Sequence, residues 1–316
     1  RQSDGATLSH IPTFGARTNL KYSTATAAIT TAKELPATVE NLTVAMGVGG
    51  YVILDKNITV NGTLSLASLL DATTTASVKV TMADGSTLEL KAAGNTVLDE
   101  DLTKAGTMDI VYGAAVTTSA RELGAISPTA GAVTLKGNVI LHADATFTGT
   151  LTFDGGNLDL NGKTLNIQGD VFEKTNNGML HVAPSAASKV YFSGANNTTL
   201  TIKSNRTVNP NVSVYINKTN KNNTITLVGG NLDFVDPTGS PACGTLHLTK
   251  GVLVTGNNFV ILEQDHTLLN QPNQGFERTD GVIAGNVRKY ISNQTAEAVD
   301  RSKIEFPTGT IDGYYR

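Results

Sequence analysis

Five histidines are the side chains in this sequence best suited to metal binding or proton transfer. They are His10, His142, His181, His247 and His266. No two of them have a ligand spacing such as His-x-x-x-His, which would bring two imidazoles to one metal ion. The histidines therefore predict neither a metal site nor a catalytic base. We expect a protein that is not an enzyme and that carries no cofactor.

Aspartates near predicted turns are the second candidate group, comprising Asp154, Asp159, Asp170, Asp233 and Asp236. Parallel β-helix polysaccharide lyases use Asp clusters with Ca²⁺, but they also need a basic residue that abstracts a proton and stabilises the intermediate. Arg206 is the only arginine between residues 121 and 278, and Lys163 is the base nearest to the first three aspartates. The pattern favours solvated aspartates between inward-facing leucines, and the Gly-Gly-x-Gly-x-Asp repeat of calcium β-rolls is absent.

Threonines alternate along one predicted strand, at Thr146, Thr148, Thr150 and Thr152. Flat rows of threonine occur on ice-binding solenoids, but a single row is more typical of an ordinary exposed strand face. Sequons for N-glycosylation are frequent, among them Asn41, Asn57, Asn61, Asn205, Asn211, Asn217 and Asn293. In a chain rich in Asn and Thr such sequons arise by chance, so they predict little.

The single cysteine, Cys243, excludes a disulfide within the chain. Its expected role is that of a small buried hydrophobic residue rather than a reactive thiol. At 316 residues the chain is long enough to bury a core without disulfides.

Composition excludes several classes of function. Charged residues make up 16%, against roughly 25% in an average soluble protein, and the net charge of −3 comes without a basic stripe. Nucleic acid binding needs clustered Lys and Arg, so no nucleic acid partner is expected. No window reaches the roughly 20 apolar residues of a membrane span. Trp is absent and aromatic residues are 5%, which predicts an aliphatic core and argues against a carbohydrate module.

The elements that position these residues are short alternating segments. Leu42-Thr-Val44, Ile58-Thr-Val60 and Val133-Thr-Leu135 each place two apolar side chains on one face, with a polar residue between them. This period of two is the signature of a half-buried strand. Gly, Asn or Asp separates the segments, so the pattern predicts an all-β protein of short strands and tight turns.

An internal repeat is clearest at residues 151–169. Leu151, Leu158 and Leu165 are seven apart, and so are Phe153, Leu160 and Ile167, with a Gly in each unit of Leu-x-apolar-x-Gly-x-x. Apolar residues at i and i+2 do not form the seam of a coiled coil, but they fit a strand plus a turn. The same spacing returns between 225 and 262, and internal repeats decide the architecture.

Two folds accommodate the repeat. In a β-solenoid, or β-helix-like repeat, each unit forms one side of a coil. In a β-meander or sandwich, each unit is a hairpin arm, and a turn at Gly162-Lys163 would place Leu160 opposite Leu165. We expect the solenoid, because units of three to five residues make weak free-standing hairpins. About 20 residues per coil would give about 15 coils, stacked about 4.8 Å apart.

The expected domains are a solenoid-like repeat over residues 1–280 and a small C-terminal β unit over 281–316, either a cap or the start of a second β domain. Residues 172–223 are expected to contain polar insertions, and the Asn-rich part, 193–223, is either an insertion or a polar ladder. The sequence opens with polar residues at Arg1-Gln-Ser-Asp4 rather than a signal peptide. Of a cytoplasmic chain and a trimmed, exported one, the composition favours the second.

Several segments resemble a repeat of very large surface proteins from the Bacteroidetes group. They are Glu34-Leu-Pro-Ala-Thr-Val, Ile58-Thr-Val-Asn-Gly-Thr-Leu-Ser-Leu, Gly244-Thr-Leu-His-Leu-Thr-Lys-Gly and, most clearly, Gly281-Val-Ile-Ala-Gly-Asn-Val-Arg-Lys-Tyr-Ile, with Glu305-Phe-Pro-Thr-Gly-Thr and Tyr314-Tyr-Arg after it. The similarity covers about 34–66 and 230–316. It implies export by type IX secretion and display on the cell surface. The family has no shared catalytic residues to carry over, and its pattern continues beyond a Tyr-Arg, so the chain is expected to be part of a longer polypeptide.

The sequence therefore predicts an extracellular structural or adhesive protein of the cell surface that self-associates into a filament or surface layer. Expected partners are copies of itself or other surface proteins, with glycans as a further candidate. The alternative is a β-helix protein that acts on a polysaccharide or binds a ligand.

Overall fold

The computed structural model describes residues 8–74, 78–92, 98, 102–114, 122–123, 129–234, 244–262, 276–289, 308–310 and 313–314. Within these residues the protein is all-β and contains no helix, so no described helix is long and apolar enough to cross a membrane. The chain divides into two compact units, Arg1–Ala145 (unit 1) and Thr146–Arg316 (unit 2).

The described residues form short strands over most of their length, with two long strands, β27 and β28, near the C-terminus. The strands are β1 (Asn19–Ser23), β2 (Ala28–Thr30), β3 (Thr38–Val39), β4 (Asn41–Ala45), β5 (Tyr51–Ile53), β6 (Ile58–Val60), β7 (Thr63–Leu66), β8 (Leu70–Asp71), β9 (Val80–Met82), β10 (Thr87–Leu90), β11 (Thr103–Lys104), β12 (Asp109–Tyr112), β13 (Thr129–Ala130), β14 (Val133–Leu135), β15 (Val139–Ile140), β16 (Ala145–Phe147), β17 (Leu151–Phe153), β18 (Leu158–Asp159), β19 (Thr164–Ile167), β20 (Val171–Glu173), β21 (Ser188–Phe192), β22 (Thr198–Thr201), β23 (Arg206–Thr207), β24 (Val212–Asn217), β25 (Thr224–Val228), β26 (Leu232–Phe234), β27 (Thr245–Leu262), β28 (Phe276–Lys289), β29 (Gly309–Thr310) and β30 (Gly313–Tyr314).

Unit 1 is a β-solenoid whose coils have three sides. The first side stacks β1, β4, β7, β10, β12 and β14 in parallel. The second stacks β3, β6, β9 and β11, and the third stacks β2, β5 and β8. Consecutive strands along the chain therefore lie on different sides, and each strand pairs with its counterpart one coil away.

The register shows the coil length directly. On the first side of unit 1, Leu42 pairs with Leu64, Leu64 with Leu88, and Leu88 with Ile110, so one coil takes 22 to 24 residues. In unit 2 the paired residues lie 20 apart at Leu151 and Val171, and 32 apart at Val214 and Leu246. All but the shortest of these coils are longer than the roughly 20 residues per coil expected from the sequence. The described chain therefore contains fewer coils than the sequence predicted.

Unit 2 by itself has the same architecture, with strands stacked on three sides. One side stacks β19, β21, β24 and the starts of β27 and β28. A second stacks β17, β20, β22, β25 and the middle of β27. A third stacks β23, β26 and the end of β27.

The seven-residue repeat at 151–169 corresponds to successive sides of one coil, β17, β18 and β19. Leu165 pairs in parallel with Val190, one coil later, instead of facing Leu160 across a hairpin. Asn161 and Gly162 both have positive φ, 50° and 76°, and turn the corner between β18 and β19. The predicted solenoid is confirmed, and the hairpin alternative is wrong for this segment.

Inward-facing residues form continuous rows that make the core. One row in unit 1 contains Leu42, Leu64, Leu88, Ile110 and Val133, all buried. The core is mainly aliphatic, as predicted, with aromatic side chains such as Phe153 and Phe192 inserted in it. The polar segment 172–223 contains β21 to β24 and the end of β20, and β28 runs through residue 280 as a parallel partner of β27. Thr308 bridges Ile283 in parallel, and β29 and β30 pair antiparallel.

Candidate functional site

One outer side of unit 2 presents an unusual row of side chains. The strands β21, β24 and β27 each contain an apolar-x-apolar triplet, Val190-Tyr-Phe192, Val214-Tyr-Ile216 and Leu246-His-Leu248. The apolar members are buried, so alternation along each strand turns the middle residue outward. Because the strands are parallel and in register, Tyr191, Tyr215 and His247 lie directly one above another.

The three rings stack face to face. The ring centroids of Tyr191 and Tyr215 are 4.3 Å apart with 14° between the planes. Those of Tyr215 and His247 are 4.0 Å apart with 4° between the planes. We call these three residues the aromatic ladder. Their stacked faces contact one another, so the ladder presents mainly ring edges to its surroundings.

Glu277 of β28 is in register with His247 and closes the row. His247 Nδ1 lies 2.9 Å from Glu277 Oε2, and the Glu277 side chain is 74% exposed. Burial lowers the pKa of His247 and nearby Lys189 lowers it further, while Glu277 opposes both effects. Burial, Tyr191 and Glu277 together raise the pKa of Tyr215. The directions of these two pKa shifts favour the neutral forms of His247 and Tyr215.

A second outward row runs beside the ladder. It contains Thr164, Lys189, Ser213 and Thr245, which are in register on β19, β21, β24 and β27. Lys189 is exposed and is the only cation of this row. We use the term ladder face for the two rows together. It has hydroxyls and aromatic edges in the middle, a cation near one end and a carboxylate at the other.

The predicted histidines do not come together. His247 belongs to the aromatic ladder, and none of the described His, Cys, Asp and Glu residues form a group of three that could hold a metal ion. His10 and His142 are exposed and lie in unit 1. His266 and Cys243 lie outside the described residues.

The aspartates are engaged one by one. Asp154 pairs with Lys174 at 3.3 Å, and Asp159 Oδ1 accepts a hydrogen bond from the Asn161 N–H at 2.8 Å. Asp170 Oδ1 accepts from the Thr199 N–H at 2.7 Å, across the gap between two coils. Asp233 lies on β26, and Asp236 is outside the described residues. The predicted threonine row is split, since Thr146 lies on β16 and Thr152 on β17, with Thr148 and Thr150 on neither strand.

Arg206, the only arginine between residues 121 and 278, forms a buried ion pair with Glu173. Arg206 Nη2 lies 2.7 Å from Glu173 Oε2, and their side chains are 8% and 4% exposed. Burial raises the pKa of Glu173, while the bonds from Arg206 and from the Lys203 N–H oppose that shift. His181 lies nearby, and burial together with Arg206 lowers its pKa. Its buried Nδ1 has no hydrogen-bond partner among the described residues.

Lys218 is a second buried charge, at the end of β24. Its Nζ donates to the Ser193 carbonyl oxygen at 2.7 Å and to Thr198 Oγ1 at 3.3 Å. Burial lowers its pKa to about 8, with Asp170 as the opposing influence. The side chain is 1% exposed, so it links two coils from inside and offers no surface chemistry.

Asn and Asp side chains at the corners join neighbouring coils. In each case Oδ1 accepts a hydrogen bond from the backbone N–H of a residue about one coil later, and we call this contact a corner clamp. The clamps are Asn41 to Thr63, Asn57 to Lys79, Asp84 to Thr107, Asp109 to Ala132, Asn157 to Gly178, Asp170 to Thr199, Asn197 to Thr224, Asn205 to Asn231 and Asn231 to Phe259. Several predicted sequon asparagines are thus structural.

A cavity of about 490 Å³ in unit 1 offers little chemistry. It is lined mainly by apolar residues such as Ile11 and Leu35, together with Lys33 and Lys56. Asp55 is the one carboxylate in its lining, and its Oδ1 accepts a bond from Thr31 Oγ1 at 2.6 Å. A polysaccharide-cleaving groove would need two or three carboxylates with a base in reach, and this cavity does not supply them.

Comparisons with protein-family models, with curated proteins and with solved structures found no match to this chain. The ladder face is accordingly identified from geometry alone. Sequence inspection missed it because Tyr191, Tyr215 and His247 are 24 and 32 positions apart, which is not a fixed period. The available signal was that each one is the middle residue of an apolar-x-apolar triplet.

Proposed function

We propose that this protein is an extracellular structural protein whose solenoid units act as rigid elements of a self-associating surface layer or filament. The observation that carries the proposal is the corner clamp, which recurs in both units and joins neighbouring coils by a side chain in addition to the strand ladders. A stack joined in both ways resists shear between its coils. Such stiffness suits spacing and attachment.

The polar content of the chain supports the same role. Asn and Asp satisfy backbone N–H groups at corners where strand pairing is interrupted, which is the condition for burying an irregular backbone. The low content of charged residues and the resemblance to surface proteins favour an exported location. Attachment to glycans or to other surface proteins is part of the proposal and depends on the same exposed sides.

Electron microscopy of the native material tests this function. We expect regular fibres or a two-dimensional lattice, together with cleavage of the protein when intact cells are treated with a protease that does not enter them. Dispersed monomers that depolymerise a polysaccharide would contradict the proposal and would support the enzymatic alternative.

A further inference from the structure

We infer that the ladder face is the surface through which two copies of this chain associate, side to side and antiparallel, about a two-fold axis. This inference rests on the proposed function, because it names the partner and the surface used in self-association. The partner is a second copy of the same face.

The composition of the face matches that of an interface. Tyrosine is enriched at the centres of protein interfaces, where a large, stiff side chain contributes area at little entropic cost. Here Tyr191 and Tyr215 are half-buried and occupy neighbouring coils of the face, held in place by the stack. The charged side chains, Lys189 and Glu277, lie towards the two ends, where an interface has its polar rim.

The order of charges selects the orientation. Along the stack the coils present Lys189 beside Tyr191, then Tyr215, then His247, then Glu277. A rotation of 180° about an axis parallel to the strands brings Lys189 and Tyr191 of one copy opposite Glu277 of the other. It also brings Tyr215 opposite His247. A parallel arrangement would instead place like charges against each other, which is destabilising.

The size of the face predicts a weak contact between two copies. Many copies held together on a surface would strengthen it. Five stacked strands at about 4.8 Å, each with about five residues at about 3.3 Å, give roughly 400 Å² per copy before side-chain relief is counted. This is below the roughly 800 Å² per partner of a standard stable interface. Association should therefore be visible at high protein concentration, and on a surface many copies held side by side would reinforce it.

Charge reversal tests the inference on the full chain by sedimentation equilibrium. Because the symmetry makes each contact occur twice, Lys189→Glu or Glu277→Lys should each weaken dimerisation about tenfold. The double variant Lys189→Glu/Glu277→Lys should restore it. The matched control is Lys203→Glu, which reverses an exposed charge at the corner between β22 and β23 and should leave dimerisation unchanged. Thermal melts confirm that each variant is folded.

A zero-length carbodiimide crosslink supplies an independent measurement. We expect a product of twice the monomer mass in which the peptides containing Lys189 and Glu277 are joined. If the chain associates but the single reversals have no effect and this crosslink is absent, the ladder face is not the interface and the proposed function still stands. If the chain stays monomeric at all concentrations and forms no fibres, both proposals are overturned.

Discussion

At the scale of single residues, the buried charges decide how stability responds to pH. The folded pKa of Lys218 is about 8, below its ordinary value of 10.5. Between these values the unfolded chain binds more protons than the folded one, so this group makes stability rise with pH over that range. Below about pH 8 both states are protonated, and the buried ammonium costs at most about 3 kcal/mol.

The substitution Lys218→Met should therefore remove a pH dependence. We expect the wild type to gain unfolding free energy between pH 8 and about 10.5 relative to this variant, in which the contribution is absent. Urea unfolding at a series of pH values measures the difference. Lys221→Met, which removes an exposed amine three residues away, is the control and should keep the wild-type slope. Identical slopes in all three proteins would contradict the assignment.

The pair formed by Glu173 and Arg206 gives a second prediction. Arg206→Met leaves a buried carboxylate without its partner and should lower the free energy of unfolding by about 3 to 5 kcal/mol. Glu173→Leu in the same chain should recover most of the loss, because an apolar pair needs no desolvation of charge.

The exposed pair Lys174–Asp154 is the comparison for this experiment. Both side chains are partly solvated, and Lys174→Met should cost less than about 1 kcal/mol. Denaturant titrations of the wild type and these three variants measure these differences. An Arg206→Met protein as stable as the Lys174→Met protein would show that the buried pair is not important for stability.

At the scale of the coil, glycine and the corner clamps are linked. Gly62, Gly106 and Gly131 each immediately precede the residue whose N–H donates to a clamp. A Cβ at these positions would lie 2.7, 2.2 and 2.4 Å from the Oδ1 of Asn41, Asp84 and Asp109, respectively. The clamp oxygen and a side chain at the glycine would compete for the same space. This is a reason for glycine at these corners that is separate from turn geometry.

A double-mutant cycle on Gly131 and Asp109 measures this link. Gly131→Ala should cost about 1 to 3 kcal/mol through overpacking. In an Asp109→Ala background the added methyl no longer meets the carboxylate, so the same substitution should cost less, with a coupling of about 1 to 2 kcal/mol. Gly15→Ala, which has open space around the new Cβ, should be nearly neutral. Simple additivity in the cycle would rule out the competition.

At the scale of the whole molecule, the direction in which the coils stack determines the diffraction expected from an assembly. In oriented material the coils should give a diffraction reflection near 4.8 Å along the solenoid axes. Side-to-side association alone, with solenoid axes across the fibre, would place this reflection perpendicular to the fibre axis. End-to-end association would place it along the fibre. Diffraction without such a reflection would contradict an assembly of intact solenoids.

Periodicity in the sequence was sufficient to predict strands, the inward residues and the preference for a solenoid. Leu151, Leu158 and Leu165 are buried because a period of two within each unit defines a core face, whatever the tertiary arrangement. The same pattern was compatible with hairpins, since both folds bury the same side chains. Only the tertiary structure resolved this, by pairing Leu165 with Val190 in parallel.

The ladder face, the buried pair and the clamps were decided by the tertiary structure alone. Each joins residues about one coil apart, and the coils of unit 2 vary from 20 to 32 residues because their corners differ in length. Register therefore cannot be counted along the sequence. The fold places the described histidines and aspartates apart from one another, so they form no common site. The side chains that came together, Tyr191, Tyr215, His247 and Glu277, did so because parallel in-register stacking aligns residues that share a place in the coil.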